Sequence, residues 1–318
     1  MDSQPAVKIG SVPFIPSALG LGCWALGGRD WGGSQDLQTS LRVLHCAYDL
    51  GVTHFDTAQS YGAGLSEQLV GKALRGKREN VFIASKASCR PGSAMKKAVE
   101  QSLKRMRTDY VDLFYIHWPG KPLQSCMEGL LEAKAEGKIR GIGISNFSVK
   151  QMNSVLSLGT IDAHQLCYNL LWRKAEREII PHCTTNGISV VAYSAVAQGI
   201  LSGKFQKTPH FSAGDHRAIT LLFDPDFWPH VFETVQKFKR ISESAQTTLL
   251  QLAILWVKNN RLISSLLVGA RNEVQLKQNS RAFTGEISSE ILDALTSISD
   301  SLEPFTPNYD NIFKYNPV

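Results

Sequence analysis

Short apolar runs alternate with amphipathic stretches along almost the whole of this chain. Eight runs read as strands: LGLG (19–22), THFD (53–56), VFIASK (81–86), VDLFYIH (111–117), IRGIGIS (139–145), AHQLCY (163–168), SVVAYS (189–194) and SSLLVG (264–269). Helical periodicity fills the gaps between them. After Asp36, residues Leu37, Leu41, Leu44 and Tyr48 fall on one helix face, and Gly51 closes that helix. LSEQLVGKALRG, AMKKAVEQSLKRM, PLQSCMEGLLEAKAEG and VKQMNSVLSLG behave in the same way. So does AEREIIPHCTTNG, although Pro181 is placed to break its middle. LLQLAILWVKNN is apolar enough to lie against a sheet.

Eight parallel strands with crossover helices predict an α/β fold, the (β/α)8 TIM barrel, as a single domain over residues 1–318 with extra C-terminal helices. A doubly wound open sheet is the alternative, and no linker marks the domain boundary that would favour it. Segment 203–230 departs from the pattern, with prolines at 209, 225 and 229 and aromatics at 205, 211, 223, 227 and 228. It predicts a long loop after strand seven, either a lid or an insertion. The tail EPFTPNYDNIFKYNPV, again rich in proline and aromatics, is expected to pack across a barrel mouth.

Composition narrows the function classes. With 43% apolar and 19% charged residues, the 318-residue chain matches a soluble globular protein with a large core. The opening MDSQPAVKIG has no basic segment followed by an apolar one, and no apolar run is long enough to span a bilayer, so a cytoplasmic location is expected. Cysteines 23, 46, 89, 126, 167 and 183 form no CxxC pair, which fits reduced thiols and predicts no metal site. The net charge of +6 comes from 34 basic against 28 acidic residues. Its one cluster, KKAVEQSLKRMR (96–107), reads as a solvated helix face rather than a nucleic-acid patch. A mildly positive protein suits anionic small ligands such as dinucleotides. The expected partner is a small molecule, with no nucleic acid or membrane, on a monomer or weak homo-oligomer.

The stretch THFDTAQSYGAG (53–64) runs a short strand directly into Asp56 and places Tyr61 in a loop with glycines at 62 and 64. A capped turn would explain the carboxylate alone. In a barrel, however, strand C-termini converge on one mouth. Lys86 closes strand three and His117 closes strand four, beside Asp56 and Tyr61 after strand two. A tyrosine, with a pKa near ~10, is a poor acid, but an adjacent ammonium stabilises its phenolate and lowers that pKa. Asp56 would hold Lys86 in place, and His117 could donate to a carbonyl oxygen. The set suits reduction of C=O, with Tyr61 supplying the proton.

The chain resembles the aldo-keto reductases. THFDTAQSYGAGLSEQLVGKAL, TDYVDLFYIHWP and GIGISNFS match signatures of that family's second, fourth and fifth strands. HQLCYNLL, AYSAVAQGILSGKF and VGARNEVQLKQN have counterparts in the same order, so the likeness covers nearly the whole chain. The resemblance implies a catalytic tetrad of Asp56, Tyr61, Lys86 and His117. It also implies a nicotinamide cofactor, NADPH with NADH possible, bound without a Rossmann domain. Consistently, no GxGxxG opens a helix here. By the same resemblance Ser145, Asn146 and Gln165 meet the carboxamide, and Tyr193 stacks on its ring. Ser194, Gly199, Leu201 and Lys204 wrap the pyrophosphate. Gly269, Ala270, Arg271, Asn272, Gln275, Gln278 and Asn279 reach the 2′-phosphate and adenine, with Arg271 selecting NADPH.

Three segments depart from the family pattern: Ala195 and Val196 follow AYS where many relatives have proline, Gly120 replaces an acidic residue after HWP, and Val268 replaces a proline. None touches the tetrad. Trp24, Trp31 and Trp118 are the expected substrate walls, able to stack on a ring or sugar face. The expected activity is reduction of an aldehyde, ketone or sugar carbonyl. Oxidation of a sugar or alcohol, or a cofactor-binding regulatory subunit with vestigial turnover, are the alternatives.

Overall fold

The computed structural model describes residues 5–28, 31–33 and 35–314. Eight parallel strands close into a barrel in sequence order: β1 (Leu19–Gly22), β2 (His54–Asp56), β3 (Phe82–Ala87), β4 (Val111–Ile116), β5 (Ile139–Ser145), β6 (Ala163–Cys167), β7 (Ser189–Tyr193) and β8 (Ile263–Gly269). Pairing of β1 with β8 completes the closure, with Gly22 opposite Gly269, so the open-sheet alternative is excluded.

Helices α1 (Leu37–Asp49), α2 (Leu65–Ala73), α3 (Gly92–Met106), α4 (Leu123–Ala135), α5 (Val149–Leu156) and α6 (Ile179–Thr185) follow the first six strands. Between β7 and β8 lie α7 (Trp228–Ser244) and α8 (Leu249–Asn259), and after β8 come α9 (Glu273–Thr284) and α10 (Ser289–Asp300). Two details differ from the sequence pattern. In α1 the buried face is Ser40, Leu41, Val43, Leu44 and Ala47, because the helix meets its neighbours one step round from Leu37, which stays exposed. Pro181 falls in the first turn of α6, where its missing N–H breaks no bond, so the helix simply begins later than the pattern suggested. The sequence pattern did not name α7.

Strand alternation sorts side chains between two cores. Phe55, Ile83, Phe114, Ile116, Ile142, Ile144 and Val190 face outward into the layer shared with the helices. Phe82, Ala84, Leu113, Tyr115, Ala163, Val191 and Leu267 face inward and fill the barrel. Room for the Tyr115 ring comes from Gly143 on the neighbouring strand, where any Cβ would collide with it. Ile9 and Val12, from an N-terminal turn held by Val7 N to Pro16 O (2.9 Å) and Ala18 N to Pro5 O (2.7 Å), plug the bottom. Fully burying an apolar side chain of this size contributes about 1.5–3 kcal/mol, so one end of the barrel is closed as part of the core. Only the C-terminal end remains for a ligand.

Candidate active site

The inward alternation that fills the core also builds the site. On β3 the inward set is Phe82, Ala84, Lys86; on β4 it is Leu113 and Tyr115, then His117 just past the strand. Asp56 ends β2 two residues after His54, which packs on Phe82. Each strand thus delivers its last inward residue to the mouth. Backbone pairing sets their relative heights, with Asp56 opposite Ala84 and Lys86 opposite Tyr115, while His117 N donates to Ala87 O at 2.9 Å.

Lys86 has no solvent exposure, and its ammonium spends three donors on Asp56 Oδ1, Thr57 O (2.9 Å) and the Tyr61 hydroxyl (3.3 Å). The second oxygen of Asp56 accepts from Gln165 Nε2 at 2.8 Å. Burial alone would drive the Lys86 ammonium to lose its proton, but Asp56 and Tyr61 outweigh burial and hold its pKa above the ordinary value. Burial raises Asp56, with Lys86 and Gln165 opposing.

Tyr61 comes from a tight turn over Tyr61–Gly64 in which Gly62 and Ala63 are both left-handed (φ 56° and 53°). A Cβ at Gly62 would land on the Gly27 carbonyl, so this turn lies directly against the 24–27 turn that follows β1. That contact brings Trp24 into a stack on Tyr61, with centroids 5.9 Å apart. His117 meets the Tyr61 ring edge-on at 5.8 Å. The pKa of the phenol differs from expectation: burial raises it above the ordinary value, and the pull of Lys86 is outweighed. Burial first, then Lys86, pushes His117 well below its usual range. Both groups are therefore neutral at neutral pH: a phenol and an imidazole, each able to donate one hydrogen bond.

Asp56, Tyr61 and His117 form the floor of a cavity of about 740 Å³ at the barrel mouth, and Lys86, fully buried, lies behind them. Its walls contain Ser145, Asn146, Gln165, Tyr193, Ser194, Gly199, Lys204, Gly269, Arg271, Gln275, Gln278 and Asn279, together with Trp24, Trp31 and Trp118. Leu201 is not among them. It is fully buried and its amide donates to Val196 O (3.2 Å), so it shapes the loop from beneath. Asn272 caps α9 by accepting from Gln275 N at 2.9 Å rather than facing the cavity.

The two ends of the cavity differ in chemistry. Near the floor, Asn146 donates to Ser145 Oγ (3.0 Å) and accepts from the Tyr193 hydroxyl (2.8 Å), a set of amide and hydroxyl groups suited to a carboxamide. At the other end Lys204, Arg217 and Arg271 are close enough that both arginines lower the lysine's pKa, after burial as the largest cause. Asp215 engages Arg217 at 2.9 Å, and Arg271 donates to Trp31 O (3.2 Å) and Gln35 Oε1 (3.4 Å). Three cations around one carboxylate leave positive charge in excess, which suits an anionic ligand. Trp31 belongs to this end as much as to the substrate wall: the Arg217 guanidinium lies 5.4 Å from its ring.

Sequence reasoning missed Gln198, Arg217, His216, Ile219 and Phe313, all in the walls. Gln198 is 5% exposed, and neither amide atom has a partner among the described residues. A buried orphaned amide in a cavity wall fits a polar ligand that satisfies it. Cations at one end, amides at the other and this orphaned amide in the same wall fit a dinucleotide. Arg217 and His216 lie in the irregular 203–230 segment and had no strand to place them. Phe313 sits in the aromatic tail, which does cross the mouth as expected, although residues 315–318 lie outside the described residues.

Comparison with known proteins agrees with this geometry. The model of the Aldo/keto reductase family matches residues 18–300. An aldo-keto reductase of Bacillus subtilis (strain 168) is 33% identical over 314 residues, covering 92% of this chain and 93% of its own. The NADH-specific methylglyoxal reductase of Escherichia coli (strain K12) is 30% identical over 324 residues, covering 93% and 99%. Among solved structures, glycerol dehydrogenase from Gluconobacter oxydans has a TM-score of 0.83 at 29% identity, covering 100% of this chain and 99% of that one. An aldo/keto reductase from Klebsiella pneumoniae, in complex with NADP and acetate, has a TM-score of 0.76 at 27% identity, covering 99% and 100%.

Proposed function

The chain belongs to the aldo/keto reductase family, and from that premise we propose that it reduces an aldehyde or ketone to the alcohol, with Tyr61 as proton donor. The nicotinamide, when bound, supplies the hydride to the carbonyl carbon. Ser145, Asn146 and Gln165 would hold its carboxamide, Tyr193 its ring, and Lys204, Arg217 and Arg271 its phosphates. NADPH is the expected cofactor, with NADH possible; the Klebsiella structure holds NADP and the Escherichia relative is named for NADH.

Neutral His117 donates a hydrogen bond to the carbonyl oxygen and orients it toward Tyr61. The phenol gives its proton to that oxygen as negative charge develops there. The phenolate left behind faces the Lys86 ammonium, which Asp56 keeps charged, and solvent later returns the proton. The raised ground-state pKa keeps Tyr61 protonated before the reaction, and Lys86 acts on the charge that appears during it. The observation that carries this reading is the buried Lys86 ammonium bonded at once to Asp56 and to the Tyr61 hydroxyl at 3.3 Å. The same groups run the reverse oxidation by microscopic reversibility, and the likeness to a glycerol dehydrogenase gives that direction its support.

The test is single-turnover oxidation of bound NADPH by methylglyoxal, in wild type and Tyr61→Phe. The expected result is rapid oxidation in wild type and a loss of at least ~100-fold in the variant, with NADPH affinity retained. Equal rates in the two proteins would exclude Tyr61 as the donor. No oxidation in either, with NADPH bound, would favour a binding role.

A further inference from the structure

Five aromatic side chains close a circuit that rises from the floor of the site. Tyr61 stacks on Trp24 (5.9 Å), Trp24 meets Phe313 (5.9 Å), Phe313 meets Trp118 (5.7 Å), Trp118 stacks on His117 (5.9 Å), and His117 returns to Tyr61 (5.8 Å). Centroids 4.5–7 Å apart are the spacing of rings already in contact. Phe313 stands edge-on to both Trp24 and Trp118, so a further ring enters the gap between the two indoles only by displacing it. A slender chain ending in a carbonyl does not.

Four members of the circuit come from the loops and strand ends after β1, β2 and β4, where the barrel holds them. Phe313 alone comes from the C-terminal tail. The tail is pinned beside it: Ile312 is fully buried and its carbonyl accepts from Leu221 N (2.8 Å), while Lys314 pairs with Asp224 (2.6 Å). Both partners lie in the long loop after β7, the same loop that carries His216 to within 5.7 Å of Trp24. The ring edges of Phe313 are set against both indoles at 65° and 88°, which places it across the gap between them.

We propose that Phe313 is a specificity-determining residue: it closes the aromatic circuit and restricts the site to short, slender carbonyl compounds, excluding fused-ring aryl carbonyls. This rests on the carbonyl-reductase reading of the same site. Removing the ring opens a space of about one ring between Trp24 and Trp118, lined by two indoles and matched to a flat aryl group. Discrimination of this kind by pocket size acts on binding of the bulky group, so it falls on KM for the larger substrate more than on kcat.

The experiment measures kcat/KM for methylglyoxal and for 2-naphthaldehyde with NADPH, in wild type, Phe313→Ala and Phe313→Leu. Expected is a wild-type preference for methylglyoxal of at least ~10-fold. In Phe313→Ala the ratio of naphthaldehyde to methylglyoxal should rise at least ~10-fold, chiefly through a lower KM for naphthaldehyde, with Phe313→Leu in between. NADPH fluorescence titration and near-ultraviolet circular dichroism establish that each variant is folded and binds cofactor. An unchanged ratio in both folded variants would overturn the proposal while leaving the reductase reading intact, as would a wild type that turns over both aldehydes equally well. Failure of wild type to oxidise NADPH with either aldehyde would overturn the reductase reading, and this proposal with it.

Discussion

Gln165 on β6 donates its side-chain amide to Oδ2 of Asp56 on β2, at 2.8 Å, across the inside of the barrel. The carboxylate that holds Lys86 is thereby held from the opposite wall, and both of its oxygens are occupied in a site with almost no solvent. The resemblance to relatives assigns Gln165 to the cofactor carboxamide; its amide group faces a second task. In Gln165→Leu, Oδ2 of Asp56 loses its donor, and an unsatisfied buried acceptor costs about 1–3 kcal/mol. The expected result is a stability loss of that size by urea unfolding and a fall in kcat of about 10-fold or more at saturating NADPH, because Lys86 loses its fixed anchor. A rise in cofactor KM with kcat and stability unchanged would confine Gln165 to the carboxamide.

Gly62 lies where the Tyr61 turn touches the Gly27 carbonyl, at a left-handed φ of 56°. Alanine there meets two penalties: about 1 kcal/mol for the backbone conformation and a collision that pushes the two turns apart. Since these turns carry Tyr61 and Trp24, Gly62→Ala is expected to reduce kcat by more than its stability loss explains. Tryptophan fluorescence should report the change in the Trp24–Tyr61 stack. A variant with wild-type kcat would show that the contact serves folding alone.

The barrel was legible because its strands and helices differ in period, and the gathering of Asp56, Tyr61, Lys86 and His117 because consecutive strands end in polar residues that one mouth must collect. Neither signal reaches across the barrel. Nothing in AHQLCY says that Gln165 will bond to a carboxylate over a hundred residues earlier, since that contact depends on barrel radius and strand tilt. Gln198 and Arg217 were invisible for another reason: irregular loops have no period, so no pattern states which side chains point inward. The raised Tyr61 pKa shows a third limit. The sequence names the neighbouring charge, whereas the burial that outweighs it is a property of the packed protein.

Buried neutral histidines make stability depend on pH in a defined window. His54 is pushed down to about 3 by burial, then Lys86, and His164 down to about 3 by burial, then His182. His164 Nε2 accepts from Phe147 N (3.1 Å), a bond its protonation would break. Their folded pKa values lie below the unfolded value of 6.5, so the unfolded chain binds more protons once pH falls below 6.5. Stability is therefore full above about pH 7 and declines toward pH 3, by about 1.4 kcal/mol per pH unit for each histidine. Burial raises the Asp56 and Asp112 carboxyls above the ordinary 3.8, so the folded protein takes up their protons first as pH falls, and this opposes the loss until about pH 3.8, where the unfolded chain has caught up. Urea midpoints should fall steadily from pH 7 to pH 5, and His164→Gln should flatten the slope. Midpoints that stay level over that range would contradict the neutral assignment.

Arg271 is held by Trp31 O and Gln35, and Arg217 by Asp215, yet both remain in the cavity wall beside Lys204. Two roles are open to Arg271. If it only ties the β1 loop to the start of α9, Arg271→Ala weakens NADPH and NADH equally, because the loop that closes that end is lost for both. If its guanidinium reads the extra phosphate, the variant loses at least ~10-fold in NADPH affinity, equal to about 1.4 kcal/mol, while NADH affinity moves much less. The like-charge crowding favours the second outcome. Burial and the two guanidinium groups already lower the pKa of Lys204, and an incoming phosphate relieves the repulsion among all three. That crowding makes a further, sharper prediction. Lys204 should regain proton affinity when NADPH binds, so binding takes up protons at alkaline pH and the uptake shrinks in Arg271→Ala. Fluorescence titration of both cofactors, in wild type, Arg271→Ala and Arg217→Ala at two salt concentrations, decides between the roles. A selective loss for NADPH that also shrinks the salt dependence supports phosphate recognition, and parallel losses for the two cofactors leave Arg271 as a structural tie.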